Sequence, residues 1–269
     1  MTFRRVDNPD AETCYLLADP DHVAFDYTRM MIAALLVQPR PGRILVIGMG
    51  GGTLGRAFAS LLPDARIDNV EIDPAVVRVA NDYFGFQATE RLRVHIADGR
   101  DFVRQAIQRG ERYDLVMLDA FDDTYIPAHL ITREFLLMVR EVLAPDGVLA
   151  GNTAGTSALS ERERMTYASV FGDLLEFPAH NRIIMATRGD LPSDGELKHN
   201  ARLWGEPLQA RGIDTDIFFE RLSRVAARST VNESKLPRWL TDANAAEALS
   251  VMQALPASRE SVSGSAKSN

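Results

Sequence analysis

Acidic residues punctuate this chain at the ends of its most apolar runs. The stretch "ILVIGMGGGTLGRAF", residues 44–58, sets Gly48, Gly50, Gly51 and Gly52 between an apolar run and a helix-like segment. Glycine there lets backbone amides approach a ligand closely, and the helix that follows presents its N-terminus. Glu71 ends the next run, about twenty residues on, where an acid can accept both hydroxyls of a ribose. Asp98 and Gly99 close the third run in "IADGRDF", where a carboxylate can accept from an adenine amino group. Asp119, Asp122 and Asp123 follow the fourth, in "MLDAFDDTYIP", with Tyr125 behind them. Carboxylates at that point can hold a cationic amine and take its proton as it attacks. An amine of pKa near ~10 is protonated at neutral pH, so its alkylation requires such a base.

A nicotinamide dinucleotide and an adenosyl sulfonium both fit a glycine turn followed by an acid. The series of glycines, Glu71 and Asp98 describes an adenosine pocket with no provision for a second nucleotide. Thr53 also stands where the dinucleotide fingerprint has its last glycine. Taken singly, the same residues have structural readings, because glycines make tight turns and acids cap helices. His22, His95, His129, His180 and His199 are scattered without metal-ligand spacing, so no metal is expected. His95 falls inside a strand, whereas His129 sits in the acidic loop, within reach of a substrate.

These residues need a scaffold that delivers strand ends to one place. From Arg43 onward, "RILVIG", "ARIDNVEID", "RLRVHIAD", "YDLVMLDA" and "GVLAGNT" read as strands. The helical stretches "GTLGRAFASLL", "DPAVVRVANDYF", "DFVRQAIQRG" and "TREFLLMVREVL" alternate with them. Asp73 with Pro74 marks one helix start, Thr132 another, and Gly110 a helix end. The alternation predicts a doubly wound α/β fold with a parallel sheet, in which ligands bind at the carboxyl ends of the strands. Before it, "TCYLLAD" predicts a strand and "VAFDYTRMMIAALL" a helix. After it, residues 157–176 predict a helix and "NRIIMATRG" a strand, and beyond Gly189 the pattern loses regularity. Residues 1–41 are expected to form a short N-terminal region, 42–256 the Rossmann-like domain, and 257–269 a disordered tail.

Bulk composition narrows the function. The chain has 269 residues and a net charge of −7, with no run of Lys and Arg, which argues against a nucleic-acid partner. Cys14 is its one cysteine, so no internal disulfide forms and the reducing cytoplasm is the expected location. No apolar run approaches the ~20 residues that span a bilayer, and no signal peptide opens the sequence, so no membrane association is expected.

From Phe25 to Thr153 the chain resembles the polyamine aminopropyltransferases, the spermidine and spermine synthases. The resemblance is carried by "YTRMM", "VIGMGGGTLGR", "VEIDP", "ADGRDF" and "LDAFDD…LITREF". It implies a sheet of the S-adenosylmethionine-dependent methyltransferase type with a short N-terminal extension, a homodimer and a small polyamine substrate. The implied donor is decarboxylated S-adenosylmethionine, held by Gly48, Gly50, Gly51, Gly52, Glu71, Asp73, Asp98 and Gly99. Asp122 falls on the family's catalytic acid, Asp119 on the residue that orients the donor, and Tyr27 on the tyrosine beside the acceptor. Asp123 and Tyr125 would contact the substrate. Departures from the family, among them a short N-terminal region without the family's glutamine, keep intact S-adenosylmethionine and methyl transfer open, together with a non-catalytic adenosyl-binding role. Gly51 replaces the family's donor-binding Asp, Asp123 replaces a proline, and Tyr27-Thr28-Arg29 replaces Tyr-His-Glu, setting a cation beside a pocket for cations.

Overall fold

The computed structural model describes residues 14–121, 125–155, 159–178, 181–227 and 239–254. They build an eight-stranded sheet from β1 (Arg43–Ile47), β2 (Arg66–Glu71), β3 (Leu92–Ile96), β4 (Tyr113–Leu118), β5 (Leu143–Ala154), β6 (Leu174–Phe177), β7 (Asn181–Thr187) and β8 (Ser223–Val225). The spatial order is β3-β2-β1-β4-β5-β7-β6-β8. The first five strands in that order run parallel, and β7, β6 and β8 pair antiparallel. The chain winds outward from β1 to β3, then crosses back to lay β4 against β1. This reversal opens a crevice outside the ends of β1 and β4.

Helices α1 (Asp26–Ile32), α2 (Thr53–Leu61), α3 (Pro74–Tyr83), α4 (Gly99–Gln108) and α5 (Arg133–Val142) flank the sheet, followed by α6 (Ser160–Phe171), α7 (Asp194–Gln209), α8 (Thr215–Arg221) and α9 (Ala245–Ala254). Alternate β1 residues face opposite cores. Ile44 and Val46 pack with Met30, Met31 and Phe58, while Leu45 and Ile47 pack with Phe102, Phe135 and Val139. Burial on both faces is why "RILVI" reads as a continuous apolar run. The caps at Asp73 and Thr132 form as expected, accepting the amides of Ala75 and Phe135.

Several sequence expectations change. The described part of "TCYLLAD" forms turns instead of a strand, and Leu17 is exposed. The helix expected over 157–176 ends at Phe171, because Gly172 takes φ +86° and redirects the chain into β6. Beyond Gly189 order continues through α7, α8, β8 and α9. Helix α7 buries only Leu197, Asn200 and Leu208, which leaves little periodicity to read, although Ser193 and Glu196 form a capping box at its start. The tail at 257–269 lies outside the described residues.

A buried charge cluster ties strands β1–β4 together away from the crevice. Asp68 on β2 meets Arg93 at 2.7 Å, His95 at 2.9 Å and the Tyr113 hydroxyl at 3.0 Å. His95 is thus a structural histidine, packed also on the Phe102 ring. Burial alone would raise the Asp68 pKa, but hydrogen bonds from His95 and Tyr113 and the Arg93 charge outweigh it and hold it at about 2.

Two outcomes follow. A depressed carboxylate pKa contributes stability above its unfolded value of 3.8 that is lost as pH falls toward about 2. Asp68→Asn should therefore remove about 2 kcal/mol at neutral pH and flatten the loss between pH ~4 and ~2, read from urea midpoints across that range. Gly48 has φ +87°, and a Cβ there would lie 2.3 Å from the Asp119 carbonyl oxygen. Gly48→Ala should cost about 2 kcal/mol or more and lower the melting temperature by roughly 5 °C or more. Gly110→Ala, at φ +69° with nothing within 4 Å, should cost only the backbone strain that the new side chain introduces.

Candidate active site

A cavity of about 310 Å³ occupies the crevice. Its wall is the set of strand ends that the topology brings together. The β1 end supplies the glycine turn, β2 supplies Glu71, β3 supplies Asp98, and β4 supplies Asp119. Asn152 of β5 and Asn181 of β7 close one side, and Phe25, Tyr27 and Thr28 close another.

The glycine turn owes its shape to Glu71. Gly48, Gly50 and Gly52 have φ of 87°, 52° and 77°, a left-handed region that side chains avoid. A Cβ on Gly52 would also strike the Phe86 ring at 2.3 Å. Glu71 Oε2 accepts the amides of Met49 at 3.1 Å and Gly50 at 3.4 Å, and its Oε1 accepts that of Asp73 at 3.1 Å. A carboxylate has about four acceptor positions, so three amides leave it able to take a ribose hydroxyl as well. Asp73 lines the cavity while capping α3.

Asp98 combines two functions. Its Oδ1 caps α4 by accepting the Asp101 amide at 3.0 Å, and its Oδ2 meets His129 Nε2 at 2.7 Å. Burial favours its neutral form, but the Asp101 amide and His129 outweigh that and hold its pKa below the ordinary value. Gly99 beside it has no room for a side chain, since a Cβ would meet Ile47 Cγ2 at 2.5 Å. Across the cavity, Asp119 Oδ1 accepts from Asn152 Nδ2 at 2.9 Å, and Asn152 Oδ1 accepts from Asn181 Nδ2 at 3.2 Å. The Tyr27 ring lies stacked against Phe25 at 6.0 Å.

The cavity thus collects Tyr27, Gly48, Gly50, Glu71, Asp73, Asp98, Gly99 and Asp119 from the sequence-derived set. Gly52 turns the chain into α2 without lining it, and Gly51 does not line it either. Tyr125 is 4% exposed in the core, its hydroxyl bonds Glu163, and it does not line the cavity. Asp122 and Asp123 lie outside the described residues. Arg29 does not set its charge in the pocket: its guanidinium donates to the Val23 carbonyl at 2.7 Å, and Thr28 takes the lining place.

Sequence reasoning missed Asn152 and Asn181. The available signal was the residue type, because asparagine is depleted in strands and these two stand in strand-like runs. Among the described lining residues, four are carboxylates and none is Lys or Arg. Also among the described residues, no group of three or more His, Cys, Asp or Glu is placed to hold a metal ion, and no helix is long and apolar enough to cross a membrane.

A reversing sheet of this order, with a glycine turn and acids on successive strand ends around one cavity, defines a Rossmann-like transferase of the adenosyl-sulfonium-binding class. The model of the spermine/spermidine synthase domain matches residues 24–187, and the chain belongs to that family. It is 39% identical over 223 residues to a polyamine aminopropyltransferase of Vibrio vulnificus, covering 81% of this chain and 75% of that protein. The crystal structure of human methyltransferase-like protein 13 in complex with SAH superposes with a TM-score of 0.63 at 28% identity, covering 69% of this chain and 93% of that one. A probable spermidine synthase from Corynebacterium glutamicum shares the fold, with a TM-score of 0.62 at 20% identity over 84% of this chain and 83% of that one.

Glu71→Ala should leave three backbone amides without their acceptor and cost about 1–3 kcal/mol. Titration calorimetry should show adenosyl-ligand binding lost, with Glu71→Gln intermediate because one carbonyl oxygen remains.

Proposed function

We propose that this chain transfers the aminopropyl group of decarboxylated S-adenosylmethionine to a small polyamine-type amine, releasing 5′-methylthioadenosine. The observation that carries this reading is the wall of Glu71, Asp73, Asp98 and Asp119 without a lining Lys or Arg among the described residues. A sulfonium donor and an ammonium acceptor are both cations, and such a wall attracts both. Intact S-adenosylmethionine would bring its carboxylate into the same negative field.

The reaction is a displacement. The acceptor ammonium first gives one proton to a carboxylate base; the freed nitrogen lone pair then attacks the propyl carbon next to sulfur, the carbon–sulfur bond breaks, and its electron pair leaves on sulfur as a neutral thioether. Glu71 and Asp98 hold the adenosine from the ribose and base sides, Asp119 faces the reacting end, and Tyr27 flanks the acceptor. Asp122 is assigned as the base. The sulfonium is already a good leaving group, so positioning and proton removal are what the protein must supply. A homodimer in the cytoplasm is part of the same proposal, supported by the family and by a composition with one cysteine.

Methyl transfer is the second reading, favoured by Gly51 and by the likeness to methyltransferase-like protein 13. Product analysis separates the two. With both donors supplied, 5′-methylthioadenosine is expected, and S-adenosylhomocysteine as the only nucleoside product would overturn the proposal. Asp122→Asn should cut amine alkylation by about a hundredfold or more while donor binding by calorimetry stays near wild type. Unchanged turnover would remove Asp122 from its role.

A further inference from the structure

The contacts of Asp119 form a directed chain. Asn181 Nδ2 donates to Asn152 Oδ1, and Asn152 Nδ2 donates to Asp119 Oδ1. Chemistry fixes this direction. An ionised carboxylate only accepts, so Asn152 must turn its NH2 to Asp119. Its carbonyl then faces Asn181, which must answer with its own NH2.

The backbone makes the arrangement stiff. In the antiparallel β5–β7 ladder, Asn152 pairs with Ile183 and Ala154 with Asn181, so the two asparagines are diagonal neighbours on one face. Thr153 and Arg182, one residue along each strand, alternate to the opposite face. There Arg182 Nε donates to Thr153 Oγ1 at 3.0 Å, and its Nη2 donates to Glu163 at 3.2 Å. Arg182 and Glu163 are 3% and 1% exposed. This buried clamp fixes the register of the two strands and, with it, the reach from Asn181 to Asp119.

We infer that Asn152, anchored by Asn181, is a positioning residue for the transfer reaction, and that it fixes Asp119 as an ionised counter-charge for the acceptor. A hydrogen bond to the charged form favours that form, so Asp119 thus held is a poor base and a good partner for an ammonium group. Proton removal is left to a different carboxylate. The inference rests on the aminopropyl-transfer reading and adds to it a division of labour between the acids.

The test compares wild type with Asn152→Asp, Asn152→Leu and Asn181→Leu in steady-state aminopropyl transfer across pH, with donor affinity measured separately by calorimetry. Asn152→Asp sets a second carboxylate against Asp119, and two such groups share a proton. The acid limb of kcat/KM for the acceptor should then move up by about one pH unit. The other titratable side chains lining the cavity among the described residues, Tyr27, Glu71, Asp73, Asp98 and His129, are unchanged in this variant. Asn152→Leu should raise the acceptor KM about tenfold or more, and Asn181→Leu less, with donor affinity within about twofold. An unmoved acid limb together with an unchanged acceptor KM overturns the inference, as does a loss of donor affinity parallel to the loss of acceptor binding, which marks a merely structural role. A wild-type protein that transfers no aminopropyl group to any amine tested would sink the underlying reading, and the inference falls with it.

Discussion

The site depends on how one carboxylate is solvated. Glu71 lies 9% exposed at the end of β2 and takes its hydrogen bonds from the amides of Met49, Gly50 and Asp73. Those amides belong to the turn after β1 and to the approach to α3, so one side chain joins two strand ends. The dependence runs both ways. Backbone donors buried without an acceptor are costly, and a charged carboxylate buried without donors is costlier. The left-handed glycines let the chain bend far enough to bring both together, and the cavity is the space left beneath that bend.

The same economy recurs at the other acids. Asp73 and Asp98 each cap a helix before they face the cavity. Helix N-termini carry partial positive charge and unpaired amides, which favour an ionised side chain. Negative groups can therefore gather around a small volume without forcing one another to protonate, and Asp98 retains a pKa below its ordinary value despite burial. Asp119 accepts from an asparagine amide. The structural and chemical readings of these acids are not alternatives, because at Asp98 the capping amide is among the groups that hold the carboxylate charged.

Much of this was legible in the residues. Strands buried on both faces read as apolar runs, and acids or glycines stand where those runs end, so the order from β1 to β5 and the lining roles of Glu71, Asp98 and Asp119 could be read directly. What escaped depends on pairing across distance. Asn152 and Asn181 stand 29 residues apart and meet only through the antiparallel ladder. Strand β6 was absorbed into a helix reading because its four apolar-rich residues follow α6 after only Gly172 and Asp173. The resemblance set the Arg29 charge beside the pocket and Tyr125 on the substrate, whereas a backbone carbonyl claims the first and the core holds the second. Side-chain direction is decided by competing partners that linear spacing does not list.

Among the described residues, the cavity wall runs in chain order from Phe25 to Asn181. Chains grow from the N-terminus and fold as they emerge. A ribosome that has finished α5 has already synthesised the glycine turn, Glu71, Asp98 and Asp119, yet β5 and β7, which carry Asn152 and Asn181, are still unmade. The half of the pocket proposed to hold the nucleoside can thus exist on a nascent chain before the half proposed to order the amine. Premature ligand capture would meet an adenosyl cradle with an unsteadied reacting end, and catalytic competence would arrive only with the closing hairpin.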